Sequence, residues 1–421
     1  MKFVSTRGGP AVSIDDALLA GLANDGGLYV PMQFPRLPLS AFDQAKSIDQ
    51  VATCLLAPFF ADSTLVDELP EICREVFDFP APTKLTGRSD LRLLELFHGP
   101  TAAFKDFGAR FLAACLKRLQ AQATVLVATS GDTGGAVAAA FAGDQSLRVV
   151  VLYPKGMVSP RQEHQLTCWP DNIVSLRVNG DFDQCQALAK QAFADPELKQ
   201  ASLTSANSIS IGRLLPQMSY YALASLQCLR ERGKNANFVV PSGNLGNALA
   251  CIWARRCGLP IDQIVLATNA NRAIPVYVDS GRWQPRPTVC TLANAMDVGN
   301  PSNMERLRHL FPESEDLDNV RAFAADDIAI KKQICWADVE LGEVVCPHTA
   351  TALNAYQQLR DQNTDWIVVA TAHAAKFEDT VEALVGRSVE VPPALAELLE
   401  RPSKKVDIEP TLDSLRTWIM T

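Results

Sequence analysis

TVLVATSGDTGGAVAAAFAGDQSLRVVVLYP (residues 124–154) reads as an aliphatic run, a glycine-rich loop, an alanine-rich helical pattern and a second aliphatic run. Strand, loop, helix and strand in that order make a parallel crossover unit, and continuous apolar strands of this kind are buried on both faces. The pattern extends in both directions. LRLLELF (91–97), NIVSLRVNG (172–180), NFVVP (237–241), QIVLAT (263–268) and DWIVVAT (365–371) are further strand-length runs, and DFDQCQALAKQAFAD (181–195) is helical. The expected fold is therefore α/β, with two parallel or mixed-sheet domains and helices on both faces. Ligands in such folds bind at the carboxyl ends of the strands. The first 85 residues stand apart as a small N-terminal accessory region. It carries Gly-rich STRGGP and NDGGLYVP and closes on Pro-rich FPAPTK (79–84). Charged, irregular sequence from 280 to 345 yields no assignable elements.

Composition excludes several classes of function. With 48% hydrophobic and 20% charged residues, the 421-residue chain has a large core and is not a disordered segment. A formal charge of −8 leaves no electrostatic footprint for nucleic acid. No apolar run approaches the roughly 20 residues of a membrane helix. MKFVSTRGGP lacks the apolar region of a secretory signal. Eleven irregularly spaced cysteines without a C-x-x-C pair fit neither a zinc site nor a disulfide framework. Free thiols in a reducing cytoplasm are the expectation.

Three loops at strand ends carry the polar chemistry. SGDTGG (130–135) and SGNLGN (242–247) combine glycines, hydroxyls and the opening of a helix, whose N–H groups and dipole favour an anion. Neither has the Walker or the dinucleotide-binding spacing. Asp132 would repel a phosphate, so the first loop suits a carboxylate with a neutral or cationic neighbour. The second has no opposing charge and is the expected phosphate site. In ATAHAAKF (370–377), Thr371 stands at a strand tip, either facing a ligand or capping a turn.

FHGPTAAFKDFGAR (97–110) poses a different question. Phe107, Phe111, Cys115 and Leu119 recur every four residues and define an apolar helix face. Lys105 thus lies at a helix N-terminus, where the dipole disfavours a cation. It either snorkels to water or is a lowered-pKa amine poised to attack a carbonyl. No other lysine is expected in a comparable setting.

HGPTAAFKDFGAR, TSGDTGG, SANSISIGRL (205–214), PSGNLGN and TAHAAKF together resemble, in order, segments of the threonine synthases, and the microbial branch in particular. The resemblance runs from STRGG almost to the C-terminus. It implies the pyridoxal-phosphate fold type II shared with the tryptophan synthase β-subunit. It further implies that Lys105 holds pyridoxal 5′-phosphate as a Schiff base. Ser242, Gly243, Asn244, Leu245, Gly246 and Asn247 would bind the cofactor phosphate. Thr371 would face the pyridine nitrogen, and Asp132 would lie near the phenolic oxygen. The substrate carboxylate would go to Ser130, Gly131 and Thr133.

The implied reaction is conversion of O-phospho-L-homoserine and water to L-threonine and phosphate, the last step of threonine biosynthesis, by a carbon–oxygen lyase acting on phosphate. Lys155 in YPKGMVSP (153–160), Asn207, Ser208 and Arg213 are expected to cradle the leaving phosphate, with Arg161 as a weaker candidate. A larger cofactor-binding domain is expected over 86–119 with 211–421, and a smaller one over 120–210. The enzyme is expected to act on a small molecule, without nucleic-acid or membrane partners, as a monomer or homodimer. A dehydratase or sulfhydrylase of the same fold, needing no distal phosphate pocket, stays open. So does a non-catalytic ligand sensor, against which the intact Lys105 argues.

Overall fold

The seven aliphatic runs all form strands, and they divide between two sheets. The computed structural model describes residues 1–312, 317–359 and 364–420. The larger sheet has the order Val320–Ala324, Ile261–Thr268, Ala236–Pro241, Trp366–Ala370, Leu91–Glu95 and Thr83–Leu85. Its neighbours are parallel apart from the last pair, which is antiparallel. The smaller sheet is parallel throughout, in the order Val406–Ile408, Ile173–Val178, Leu147–Pro154, Ala123–Ala128 and Leu203–Ser205.

Burial explains why these strands are apolar on both faces. Phe238, Val239 and Val240 are consecutive and all fully buried, as are Val149, Val150 and Val151. Helices cover each face, so alternation would place polar groups in a core. The C-terminal segment departs from the expected division. Val406 lies opposite Leu176 in the smaller sheet, and Leu415 and Ile419 join the apolar cluster around Leu188. These contacts place residues 406–419 with the smaller sheet rather than with the larger one.

The N-terminal region is a hairpin, Phe3–Ser5 with Tyr29–Pro31, and the helices Ile14–Ala20, Ile48–Leu56 and Leu69–Val76. It covers the back of helix Lys105–Arg118, whose Phe107, Phe111 and Cys115 are fully buried. Phe60 and Phe111 meet edge to face at 5.8 Å, and Phe77 lies 6.0 Å from Phe107. Burying each such ring contributes about 1.5–3 kcal/mol. The helix that begins with Lys105 is thereby clamped along the face predicted from its spacing.

Candidate active site

Lys105 is positioned from both sides of its turn. The buried Asp106 carboxylate accepts from the Thr101 hydroxyl at 2.6 Å and the Thr101 N–H at 2.9 Å, closing the loop that starts the helix. The Phe104 N–H donates to the Thr371 carbonyl at 2.8 Å, and the His373 N–H to the Ala102 carbonyl at 3.0 Å. These bonds zip the lysine turn onto the end of strand Trp366–Ala370. Lys105 Nζ lies 4.4 Å from the Phe104 ring centroid and lines a cavity of about 1210 Å³ between the two sheets. Burial, then the nearby Arg213 guanidinium, lower its ammonium to about 8 against the pull of Asp132. Lys105 thus stands, partly buried, on the cavity wall rather than on the outer surface.

The 242–247 loop forms one wall of the same cavity. Leu245 takes the left-handed conformation, with φ 64°, immediately before helix Gly246–Arg256. Asn244 is held by its side chain, which donates to the Ser208 hydroxyl at 2.7 Å and accepts from the Ser302 N–H at 2.5 Å. Asn247 Oδ1 accepts from the Tyr220 and Tyr221 hydroxyls, each at 2.7 Å, while its buried Nδ2 has no protein partner. A Cβ on Gly243 would come within 2.7 Å of Met296 Cα. Gly243→Asp should therefore weaken uptake of a phosphate ligand at least about tenfold, equivalent to roughly 1.4 kcal/mol. The cause is both the clash and the added negative charge. Titration of the ligand-free protein checks this, and unchanged affinity would place the phosphate elsewhere.

The 130–133 loop faces the lysine across the cavity, with Ser130, Asp132 and Thr133 on its lining. Asp132 has the cationic neighbour its loop called for. Lys376 Nζ lies 2.9 Å from Asp132 Oδ1 and 2.8 Å from the Thr101 carbonyl, and the Lys376 side chain is fully buried. Burial tends to raise the Asp132 carboxyl, but Lys376, then His348 and Gln162, outweigh it and hold the group below its ordinary value. Lys105 is accordingly not alone as a lysine drawn inward, and Lys376 is the more deeply buried of the two. Lys376 gave the same local signal, a lysine among apolar residues in TAHAAKF.

Asn207, Ser208, Arg213 and Thr371 also line the cavity. Asn207 bridges to strand Ala123–Ala128, donating to the Ala128 carbonyl at 2.7 Å. Arg213 is 1% exposed; it donates to the Ala206 carbonyl, while its Nε has no protein partner. Lys155 is a correction. It follows the right strand, but its Nζ turns outward to Asp407 at 2.9 Å, on the edge strand of the smaller sheet, and it does not line the cavity. Gly131 stays behind the rim, where a Cβ would meet Gln162 Nε2 at 2.7 Å. Arg161 lies outside the cavity, bonded to the Ala375 carbonyl at 2.6 Å. The unassigned stretch from 280 to 345 supplies Ala295, Met296 and Ser302 to the cavity wall, and its Asn303 side chain donates to the Asn244 carbonyl at 2.9 Å.

Comparison with known proteins gives the family of the chain. Residues 76–374 match the family described as pyridoxal-phosphate dependent enzyme. Residues 2–77 match the threonine synthase N terminus, and 349–419 the threonine synthase C-terminal region. A threonine synthase from Serratia marcescens is 41% identical over 97% of this chain and 96% of its own length. The crystal structure of threonine synthase from Escherichia coli superposes with a TM-score of 0.93 at 38% identity, covering 100% of this chain and 99% of its own. The PLP-bound threonine synthase from Brucella melitensis does so with a TM-score of 0.90 at 33% identity, covering 100% and 98%. By fold and by full-length similarity, the chain belongs to the threonine synthase family of pyridoxal-phosphate-dependent enzymes.

Proposed function

We propose that this chain holds pyridoxal 5′-phosphate on Lys105 and converts O-phospho-L-homoserine and water to L-threonine and phosphate. The observation that carries the reading is the convergence, in one cavity, of a lowered-pKa lysine amine, a glycine loop closed against Met296 and a second anion-type loop. The residues present fit the cofactor. Asn247 leaves a buried Nδ2 unpaired, and the 242–247 loop itself carries no acidic side chain. Ser242 to Asn247, Leu245 included, would hold the cofactor phosphate. Thr371 would meet the ring nitrogen, and Asp132 would lie near the phenolic oxygen. When bound, the cofactor supplies an electron sink for negative charge at the substrate's Cα.

The chain's own residues supply the rest. The Lys105 amine, with a pKa lowered to about 8, is neutral in an appreciable fraction near neutral pH and takes the Cα proton. Net reaction breaks the Cγ–oxygen bond and releases phosphate. Cγ gains a proton, Cβ loses one, and the water oxygen bonds to Cβ. Ser130, Thr133 and the start of helix Asp132–Phe141 are suited to the substrate carboxylate. Asn207, Ser208 and Arg213 are suited to its phosphate, and the flat Arg213 guanidinium offers two parallel donors. A neutral hydroxyl such as Thr371 opposite the ring nitrogen would leave that nitrogen largely unprotonated, which would favour elimination over transamination.

The smaller unit supported by the strand pairing comprises 120–210 with the C-terminal segment from about 400 onward, and the larger unit 86–119 with 211 to about 399. Eleven free thiols support a cytoplasmic setting, with the enzyme acting as monomer or homodimer. The test is phosphate release measured alongside threonine formation. Arg213→Ala should cost about 2–5 kcal/mol in kcat/KM for phosphohomoserine. Serine deamination should fall far less, because serine does not reach the distal anion site. Equal loss on both substrates would remove Arg213 from the phosphate site. Serine deamination without phosphate release from phosphohomoserine would overturn the reading.

A further inference from the structure

One buried group lining the cavity has no part in the scheme above. His348 is the second residue of helix Pro347–Gln358 and is 3% exposed, with its ring 5.0 Å from that of Phe377. Its Nε2 accepts a hydrogen bond from the Ala295 N–H at 3.1 Å. A backbone N–H can only donate, so Nε2 carries a lone pair and the ring proton is on Nδ1. That Nδ1 is buried and has no partner in the protein. An unpaired buried donor is costly, so an orphan N–H on a residue that lines a ligand cavity is an observation that calls for an acceptor.

The surroundings indicate which acceptor. Ala295 adjoins Met296, whose Cα backs Gly243 in the 242–247 loop. Asn294 donates to Gln162 at 3.2 Å, and Gln162 in turn donates to Asp132 at 3.0 Å. His348 is thus anchored between the two anion-type loops. Two cations, Lys105 and Lys376, and one anion, Asp132, act on its ring. Burial is the largest influence and lowers the imidazole to about 4, so the ring is neutral at physiological pH. A neutral donor can fix an oxygen without adding a third positive charge beside Lys105.

Resting on the cofactor reading above, we infer that His348 donates a hydrogen bond through Nδ1 to an anionic oxygen bound in this cavity. That oxygen belongs either to the cofactor or to the carboxylate of the amino acid beside it. His348 is then a ligand-binding residue that fixes the reacting groups, and the Ala295 N–H is what selects its tautomer.

The test uses the full chain with 15N-labelled histidine, freed of cofactor and then reconstituted. His348 should show a protonated Nδ1 and an unprotonated Nε2 in both states. The Nδ1 resonance should move on adding pyridoxal 5′-phosphate or, in the second arm, on adding L-serine to the reconstituted enzyme. His348→Phe should weaken binding in the responding arm about 10- to 100-fold, the range for losing a hydrogen bond to a charged group. His348→Asn, whose amide nitrogen can occupy the Nδ1 position, should retain most of it. A shift with cofactor alone assigns the oxygen to the cofactor; a shift only with serine assigns it to the carboxylate. A ring protonated on Nε2 or on both nitrogens, or an Nδ1 unmoved in both arms, overturns the inference, and the wild-type spectra decide this even where the Phe variant does not fold. Wild-type protein that takes up no cofactor would instead defeat the underlying cofactor reading, and the inference with it.

Discussion

Replacing Lys105 with alanine is expected to abolish threonine formation, with a loss on the order of a thousandfold or more, because the attachment point and the proton-carrying base disappear together. Visible absorption from lysine-bound cofactor should vanish as well. The fold should survive, because the Lys105 cation should not stabilise the cofactor-free protein. The Lys105 ammonium is lowered from an ordinary 10.5 to about 8 in the folded chain. The unfolded chain therefore binds this proton more tightly, and between about pH 8 and 10.5 the group makes stability rise with pH. Below that window the partly buried cation is a net cost, which Lys105→Met removes. Cofactor-free Lys105→Met should thus unfold at no lower denaturant concentration than wild type at pH 7. The difference between the two proteins should shrink by pH 10.5. A variant markedly less stable at pH 7 would mean that Lys105 is structural, contrary to this account.

Lys376→Met is expected to act in the opposite way. Lys376 is fully buried and shared between the Asp132 carboxylate and the Thr101 carbonyl, so its loss leaves a buried carboxylate without its cation. Removing one member of such a pair costs about 3–5 kcal/mol. The Asp132 contribution is present above the ordinary carboxylate range, since its pKa is lowered in the fold, and fades as pH falls through and below that range. Denaturant unfolding at pH 7 should show the full loss, and Asp132→Asn combined with Lys376→Met should recover part of it. A Lys376→Met chain as stable as wild type would show that the pair contributes no net stability. Because the pair ties the 371–377 turn to the start of helix Asp132–Phe141, threonine formation should fall along with stability.

The two lysines show what the sequence could and could not convey. Lys105 was legible because its segment holds a helix face of Phe107, Phe111 and Cys115, a helix start and a family of neighbouring motifs, all local in the chain. Lys376 sits in an equally apolar segment, but its partner Asp132 comes from a different sheet. Local pattern cannot distinguish a buried paired lysine from a surface one. The strand Leu147–Pro154 was read to its ends because eight consecutive residues are apolar or shielded between helices. The three-residue strand Val406–Ile408 was not read, since a single Asp407 between two aliphatic residues gives no periodicity. Without that edge strand the sequence shows no partner for Lys155, whose amine Asp407 draws outward. His348, Met296 and Asn303 were missed for a related reason. His348 and Met296 reach the cavity through a helix start and an irregular loop, and Asn303 backs its wall through the Asn244 carbonyl, so their roles exist only in contacts with distant segments.

The central claim is that one particular amine, Lys105, carries the cofactor. Reduction of the cofactor-loaded wild-type enzyme with borohydride, followed by peptide mapping by mass spectrometry, tests it directly because it makes the bond permanent and locates it. The account predicts the cofactor adduct on the peptide containing Lys105, and an unmodified peptide for Lys376. An adduct on Lys376 or on any other lysine, or a loaded enzyme that yields no adduct at all, would contradict it.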